Sequence, residues 1–309
     1  MATTALLTCT SYTKRITANN KLLVNDADGN THATSLLSKT HDMACYSWSI
    51  PAGHSCPSAV YGEGTICGSC YAMLNRYGMP NVADAQWLRF IWTKYLLKHN
   101  PQLWIGTMVA NIIKVSTKGK NAVPFFRWHD SGDMYHVTYI KAIIEVCKAT
   151  PMVKHWLPTR GWQTNRKPIA RDSAWHAALL ELSQLDNVVV RSSALDFNAA
   201  APSTPYGPSS TAYTEAVSDD IVMLDDVAHH ACPKSKGEQY IDDAGITQNA
   251  STCAECNCRR CWDKDGGDVA YYVHGWQGRH TAGQLSESGH AKRNERKQRF
   301  QALTISAVA

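Results

Sequence analysis

The chain has 309 residues, 44% of them hydrophobic and 18% charged, with a net charge of +5. That length accommodates one large domain or two small ones with a sizeable core, and the composition excludes a disordered chain. No apolar run reaches the roughly 20 residues of a membrane span, and the mild positive charge gives only weak support for a nucleic-acid partner.

Residues 1–40 read as an N-terminal β extension, in which KLLVNDADGNTHA places strand-like residues around Asp-Gly-Asn turn chemistry. The opening MATTALLTCTSYTKR carries no apolar stretch of secretory length, so a cytoplasmic location is expected. ACYSWSIPAG predicts a strand ended by Pro and Gly. A cysteine-bearing loop follows, then a helix over about 70–99 with Trp87, Phe90, Ile91, Tyr95 and Leu96 on roughly one face. Asn100-Pro101 stops it and starts the next helix, PQLWIGTMVANIIKV.

The middle of the chain alternates. AVPFFRW predicts a strand, YHVTYIKAIIEVCKA an amphipathic helix, VKHWLPTR a strand, residues 167–184 a helix, and NVVVRSS a strand. Alternation of this kind builds right-handed βαβ units on a parallel sheet. The expected fold is α/β: a (β/α) barrel, complete or partial, with Cys-rich metal-binding loops, over residues 41–280. An open doubly wound sheet is the rival, but no glycine-rich nucleotide motif supports it. LDFNAAAPSTPYGPSS reads as a loop and DIVMLDD as strand-like. Residues 281–309 contain AKRNERKQRF, a basic C-terminal helix or tail that is either a solvated face or a phosphate-contacting arm.

Several strands turn polar at their ends. FFRW runs into Arg127, His129, Asp130 and Asp133; HWLPTR ends at Thr159 and Arg160; VVVRSS holds Arg191; VAYYVHGW reaches His274. In a parallel α/β sheet all C-terminal strand ends share one edge, where active sites sit. Arg127, His129, Asp133, Arg160 and Arg191 are therefore the candidate catalytic set, suited to acid–base work and to an anionic substrate. Asp133 has a competing role as a helix N-cap. Trp128, Trp156, Trp162, Trp262 and Trp276 flank the same region, where core packing is favoured over base stacking.

Nine of the eleven cysteines fall into two groups. Cys45, Cys56, Cys67 and Cys70 lie early; Cys232, Cys253, Cys256, Cys258 and Cys261 lie late. Cys-x-x-Cys spacing lets one short turn aim two thiolates at one ion or cluster, and cytosolic thiols stay reduced. Both groups are candidate metal sites, for iron–sulfur or zinc. Cys56, Cys67 and Cys70 form the first, with Cys45 as a fourth ligand or a buried strand thiol. The second draws on the late cysteines, with His274 as a further ligand. Cys9 and Cys147 read as ordinary buried thiols.

The runs KTHDMACYSWSIPAGHSCP and CGSCYAM, then FRWHDSGD, PTRGW, NVVVRSSA and a closing CP…C…C…CW with VAYYVHG resemble the bacteriophage gene product 88 family over residues 35–280. That family is in turn similar to phage radical-SAM-like barrel proteins. The resemblance implies a [4Fe–4S] cluster on Cys56, Cys67 and Cys70, with S-adenosylmethionine as a further candidate cofactor and a nucleotide or nucleic acid as substrate. The spacing C-x10-C-x2-C departs from the usual C-x3-C-x2-C of radical-SAM loops. Two alternatives stay open. One is a zinc-containing guanine (7-deazaguanine) transglycosylase acting on DNA or RNA, with Asp130, Asp133, Asp225 or Asp226 as nucleophile. The other is a non-catalytic, zinc-stapled module that binds nucleic acid or a host protein. Host cytoplasm is the location the resemblance implies, with no membrane partner; the oligomeric state is open.

Overall fold

Hairpin β1 (Lys21–Asn25) and β2 (Thr31–Ser35) is the first described element, with Lys21 opposite Ser35. These elements belong to a computed structural model that describes residues 20–25, 31–40, 43–73, 75–118, 122–215, 217–237, 239–241, 247–249, 252–256 and 258–273, with 294, 295, 297 and 298 beyond them. His274, Trp276, Cys9 and most of the basic 281–309 segment lie outside the described residues.

β3 (Ser38–Thr40) and β4 (Cys45–Trp48) form an antiparallel pair. The expected helix over 70–99 is broken into a 3-10 turn at Tyr71–Met73, a short α1 (Asn75–Gly78) and the long α2 (Pro80–His99). Pro80 opens α2 at a position where its missing N–H costs no hydrogen bond. Asn100 ends α2 and caps α3 (Pro101–Thr117) by accepting a hydrogen bond from the Leu103 amide at 3.1 Å. β5 (Phe125–Trp128), α4 (Val137–Lys148) and β6 (Lys154–Thr159) follow as the alternation predicts. The helix expected from 167 begins later. A small hairpin, β7 (Gln163–Thr164) and β8 (Lys167–Pro168), precedes α5 (Ala174–Gln184) because Pro168 sits in the hairpin and Ser173 supplies the cap. Then come β9 (Val188–Ser193), β10 (Ser209–Tyr213), the hairpin β11 (Ile221–Leu224) and β12 (Val227–Ala231), and α6 (Pro233–Lys236). A separate hairpin, β13 (Gln239–Ile241) and β14 (Thr247–Asn249), and the last strand β15 (Val269–Tyr272) complete the order.

Nine strands make one sheet in the order β11-β12-β15-β10-β9-β6-β5-β4-β3. The strands from β4 to β12 across that order are all parallel; the outermost, β3 and β11, run antiparallel to their neighbours. The α/β alternation is thus present, but the expected barrel is not: the sheet is open. Each end of the parallel array is occupied by its own hairpin partner, β3 along β4 and β11 along β12, so the edge that a closing strand would need is already hydrogen-bonded. Among the described residues no helix is long and apolar enough to cross a membrane.

From β4 to β10 the spatial order follows the sequence without reversal. Right-handed crossovers then stack their helices on one face, and α2 packs on α3, α3 on α4, and α4 on α5. Side-chain alternation separates the two faces. Trp48, Phe126, Trp128, Leu157, Val188 and Val190 join the main core under the helices, together with Trp104, Tyr139 and the buried Cys147. Leu22, Leu36 and Leu37 of the N-terminal segment belong to that same core. Buried indole N–H groups find partners there, Trp48 Nε1 donating to Tyr139 Oη at 2.9 Å and Trp104 Nε1 to Thr93 Oγ1 at 3.0 Å. The opposite face carries Cys45, Phe125, Arg127, Trp156 and Tyr271. It is covered by the single 3-10 turn Arg260–Trp262, which carries Cys261, rather than by an α-helix.

Candidate functional site

The loop from residue 49 to 70 leaves β4 at the C-terminal edge of the parallel strands and is stitched to the neighbouring strand ends. The Ile50 amide donates to Ser131 O at 3.1 Å and Ser131 Oγ donates to Ile50 O at 3.0 Å. The Ile66 amide reaches Leu195 O at 2.8 Å, and Gln163 Nε2 reaches Ser58 O at 2.6 Å. Gly132 permits this closeness: its φ is +83°, and a Cβ there would stand 2.7 Å from Ile50 O.

That loop presents Cys56 and Cys70, half-buried, and Cys67, buried, none of them in a disulfide. Burial pushes the Cys56 thiol far above its ordinary value. The charges of Asp133, Cys70 and Cys67 push in the same direction, which places each of the three within electrostatic reach of Cys56. The Gly53 amide lies 3.4 Å from Cys56 Sγ.

Asp133 ties two strand ends together. Its Oδ1 accepts from the Met134 amide at 2.7 Å and Thr159 Oγ1 at 2.8 Å, and its Oδ2 accepts from the Arg160 amide at 2.9 Å. Burial raises its pKa against these donors. It does not cap α4, a role taken by His136. Arg160 Nε in turn holds Ala194 O at 3.1 Å. His129 has a left-handed backbone, φ 54°, which turns its ring to the helix side, where Nε2 lies 2.9 Å from Tyr139 Oη. Burial and the Arg127 charge push its pKa down to about 3, so the ring is neutral.

Arg127 starts a second network on the open face. Nη2 donates to Tyr71 Oη at 3.0 Å, Nη1 contacts Met43 Sδ at 3.1 Å, and the guanidinium lies 4.6 Å above the Trp156 ring. Tyr71 Oη donates to Asp130 O at 2.6 Å and Tyr77 Oη to Asp130 Oδ2 at 3.0 Å. Tyr71 directly follows Cys70, so the network begins at the cysteine loop. Arg191 is fully buried and clamps backbone: Nη1 donates to Ser209 O and Gly267 O, and Nη2 to Arg260 O at 2.6 Å.

The late cysteines gather under that face. Cys232 directly follows β12 and stands at the N-cap position of α6. Cys258 Sγ lies 3.6 Å from His230 Nε2, and Cys261 Sγ lies 3.1 Å from Tyr271 Oη. Trp262 Nε1 donates to Phe126 O at 3.0 Å, which anchors the segment to β5. Cys45, which the sequence groups with the early cysteines, packs instead with Cys261, Trp156 and Trp262, and burial pushes its thiol up to about 11. Among the described residues no group of three or more His, Cys, Asp or Glu side chains stands where it could hold a metal ion.

Asp225 and Asp226 form the β11–β12 turn, both with positive φ, at the opposite edge of the sheet from the Cys56 loop. Sequence reasoning did not find Tyr71, Tyr77 or His230. His230 was accessible, since it lies two residues before Cys232 along extended backbone and so shares its face. Tyr77 joins Asp130 only through tertiary structure.

The family profile described as Gene product 88 matches residues 11–264, a span that contains both cysteine groups. No curated protein and no solved structure matches the chain.

Proposed function

The chain belongs to the gene product 88 family, and from that premise we propose that it is a phage metalloenzyme whose reaction centre is an iron–sulfur cluster on Cys56, Cys67 and Cys70. The observation that carries this reading is the placement of three cysteines, none in a disulfide, in one loop after the first parallel strand, stitched to the C-terminal strand ends beside Asp133. A cubane cluster held by three thiolates keeps one iron for a non-protein ligand. S-adenosylmethionine is the candidate ligand there. Arg160, half-buried at the same edge, favours an anionic substrate such as a nucleotide or nucleic acid, which the net charge of +5 also suits.

The polar network supports the chemistry by charge and position. Asp133 fixes the ends of β5 and β6 relative to the loop, and the neutral His129 buttresses the turn from beneath. Transglycosylase chemistry draws no comparable support from Asp225 and Asp226, which sit in a turn at the far edge.

Anaerobic purification followed by iron and acid-labile sulfide analysis tests the proposal. Visible iron–sulfur absorbance that disappears in Cys56→Ala, Cys67→Ala and Cys70→Ala is the expected result. A colourless native chain in which these three cysteines hold only zinc overturns it.

A further inference from the structure

We propose that the cleft between the Cys56 loop and the β7–β8 hairpin is a nucleobase pocket, in which the base of an unpaired nucleotide lies against the Trp175 ring and Lys167 meets the phosphate. The inference deepens the nucleotide reading of the reaction centre and rests on it.

The cleft encloses about 380 Å³, within the roughly 300–1,000 Å³ of small-ligand sites. Pro57 and Ser58 line it from the loop, Lys167, Pro168 and Ile169 from the second hairpin strand and its exit, and Trp175 from the first turn of α5. Pro57 directly follows Cys56, so the wall of the cleft begins one residue from the proposed cluster. The loop leaves the sheet after β4 and the hairpin after β6, both at the C-terminal strand ends, where parallel α/β sheets take their ligands.

These walls are fixed before any ligand arrives. Gln163 is 0% exposed; its Nε2 donates to Ser58 O at 2.6 Å and its Oε1 accepts from the Arg166 amide at 2.7 Å. The hairpin turn residues Asn165 and Arg166 both have positive φ, 49° and 64°, as a tight two-residue turn requires. Arg166 then holds Asp196 through two bonds, of 2.6 and 2.8 Å. Binding to a cleft pinned this way orders little of the protein.

The lining decides the ligand class. Trp175 is half-buried, and its one donor, Nε1, is spent on Gly161 O at 2.8 Å. The ring is thereby oriented, and what it offers a ligand is π surface. Pro57, Pro168 and Ile169 add apolar surface, which suits a planar ring. Lys167, exposed on the hairpin, is the cation of the lining, and no acidic residue lines the cleft, so an anion attached to that ring is favoured and a cationic ligand is not. Ser58 and Thr164, the latter opposite Lys167 across the hairpin, bring hydroxyls that donate or accept as the edge of a base demands. Stacking on an aromatic ring with bonds to the base edge is how unpaired bases are held. A base inside a duplex is shielded on both faces by its neighbours, so the occupant is unpaired.

Equilibrium dialysis of the full chain against the 5′-mononucleotides, a single-stranded oligonucleotide and its duplex tests the assignment. Binding is read independently of iron: a colourless chain that binds keeps the pocket and loses the cluster, and an iron-loaded chain that binds none of these probes loses the pocket alone. Trp175→Ala is expected to weaken binding about tenfold or more, on the order of one lost base stack, while Trp175→Phe retains most of it. Ala170→Phe adds bulk at an exposed position of the lining without removing a side-chain contact, so it should weaken binding as much and decides the matter even where W175A misfolds. Lys167→Ala should flatten the salt dependence. Binding of mononucleotides assigns the cleft to a free nucleotide, and binding of the single strand alone assigns it to an unpaired base within a strand. Native affinity in A170F, or a duplex bound as tightly as the single strand, overturns the pocket. Native salt dependence in K167A overturns the phosphate contact.

Discussion

Replacing Gly132 by alanine probes how rigidly the end of β5 holds the Cys56 loop. The added Cβ would stand 2.5 Å from Ser55 Oγ, 2.6 Å from Ile50 Cγ1 and 2.7 Å from Ile50 O. None of these retreats freely, because Ser55 Oγ donates to Pro51 O at 2.9 Å and Ile50 O accepts from Ser131 Oγ. The left-handed backbone costs an alanine about 1 kcal/mol, forcing a methyl into packed backbone costs about 1–3 kcal/mol, and the broken Ser131 bond adds about 1 kcal/mol. A loss of ~4 kcal/mol is expected from urea midpoints at constant m. Iron loading of the Cys56 loop should fall with it. Gly64→Ala is the control: its φ is +74° but nothing lies within 4 Å of the new methyl, so only about 1 kcal/mol of backbone strain is expected. A Gly132→Ala chain as stable as the Gly64→Ala chain, with native iron loading, would refute the packing between the two loops.

Acid should weaken the fold through His155, whose pKa burial pushes down to about 3 from an ordinary value of 6.5. Its Nδ1 accepts from Trp128 Nε1 at 3.2 Å, so only the neutral ring fits. The unfolded chain binds the proton first. Stability is therefore complete above the unfolded pKa and declines by about 1.4 kcal/mol per pH unit below it, roughly 2 kcal/mol by pH 5. Urea titrations at both ends of that range should show a clearly smaller acid loss in His155→Asn; an unchanged loss would count against this. Trp262→Ala removes a side chain 3% exposed, packed edge-on to Phe125 and Trp156, and should cost about 3–5 kcal/mol in urea unfolding; a loss under about 1 kcal/mol would show that Trp262 does not anchor this face. Asp133→Ala leaves Thr159 and two amides without their acceptor and should cost about 3 kcal/mol, whereas Asp133→Asn keeps an acceptor and should cost less; equal losses measured by thermal unfolding would make the charge, not the bonds, decisive.

Much of the molecule is legible in its residues because the signals are local. Strand and helix alternate where apolar periodicity says they do, since side-chain faces repeat at short range. Asn100-Pro101 marks a helix start through its own backbone chemistry, and Pro80 and Ser173 do the same where helices from 70 and 167 are expected instead. Cys-x-x-Cys spacing announces two candidate metal sites for the same reason, a turn being a local object.

What only tertiary structure decided is long-range. An open sheet and a closed barrel share one alternation pattern, and they differ in which distant edges pair; here β3 and β11 took those edges. Cys45 reads as a partner of Cys56 by proximity in sequence, yet strand alternation and the Trp262 anchor set it beside Cys261. His129 and Asp130 are adjacent, yet one left-handed residue sends the first under the helices and leaves the second with Tyr71 and Tyr77. Arg191 reads as a strand-end cation for a substrate, and the fold uses it as a clamp on three carbonyls, because a fully buried guanidinium must spend its donors on whatever backbone the packing brings within reach.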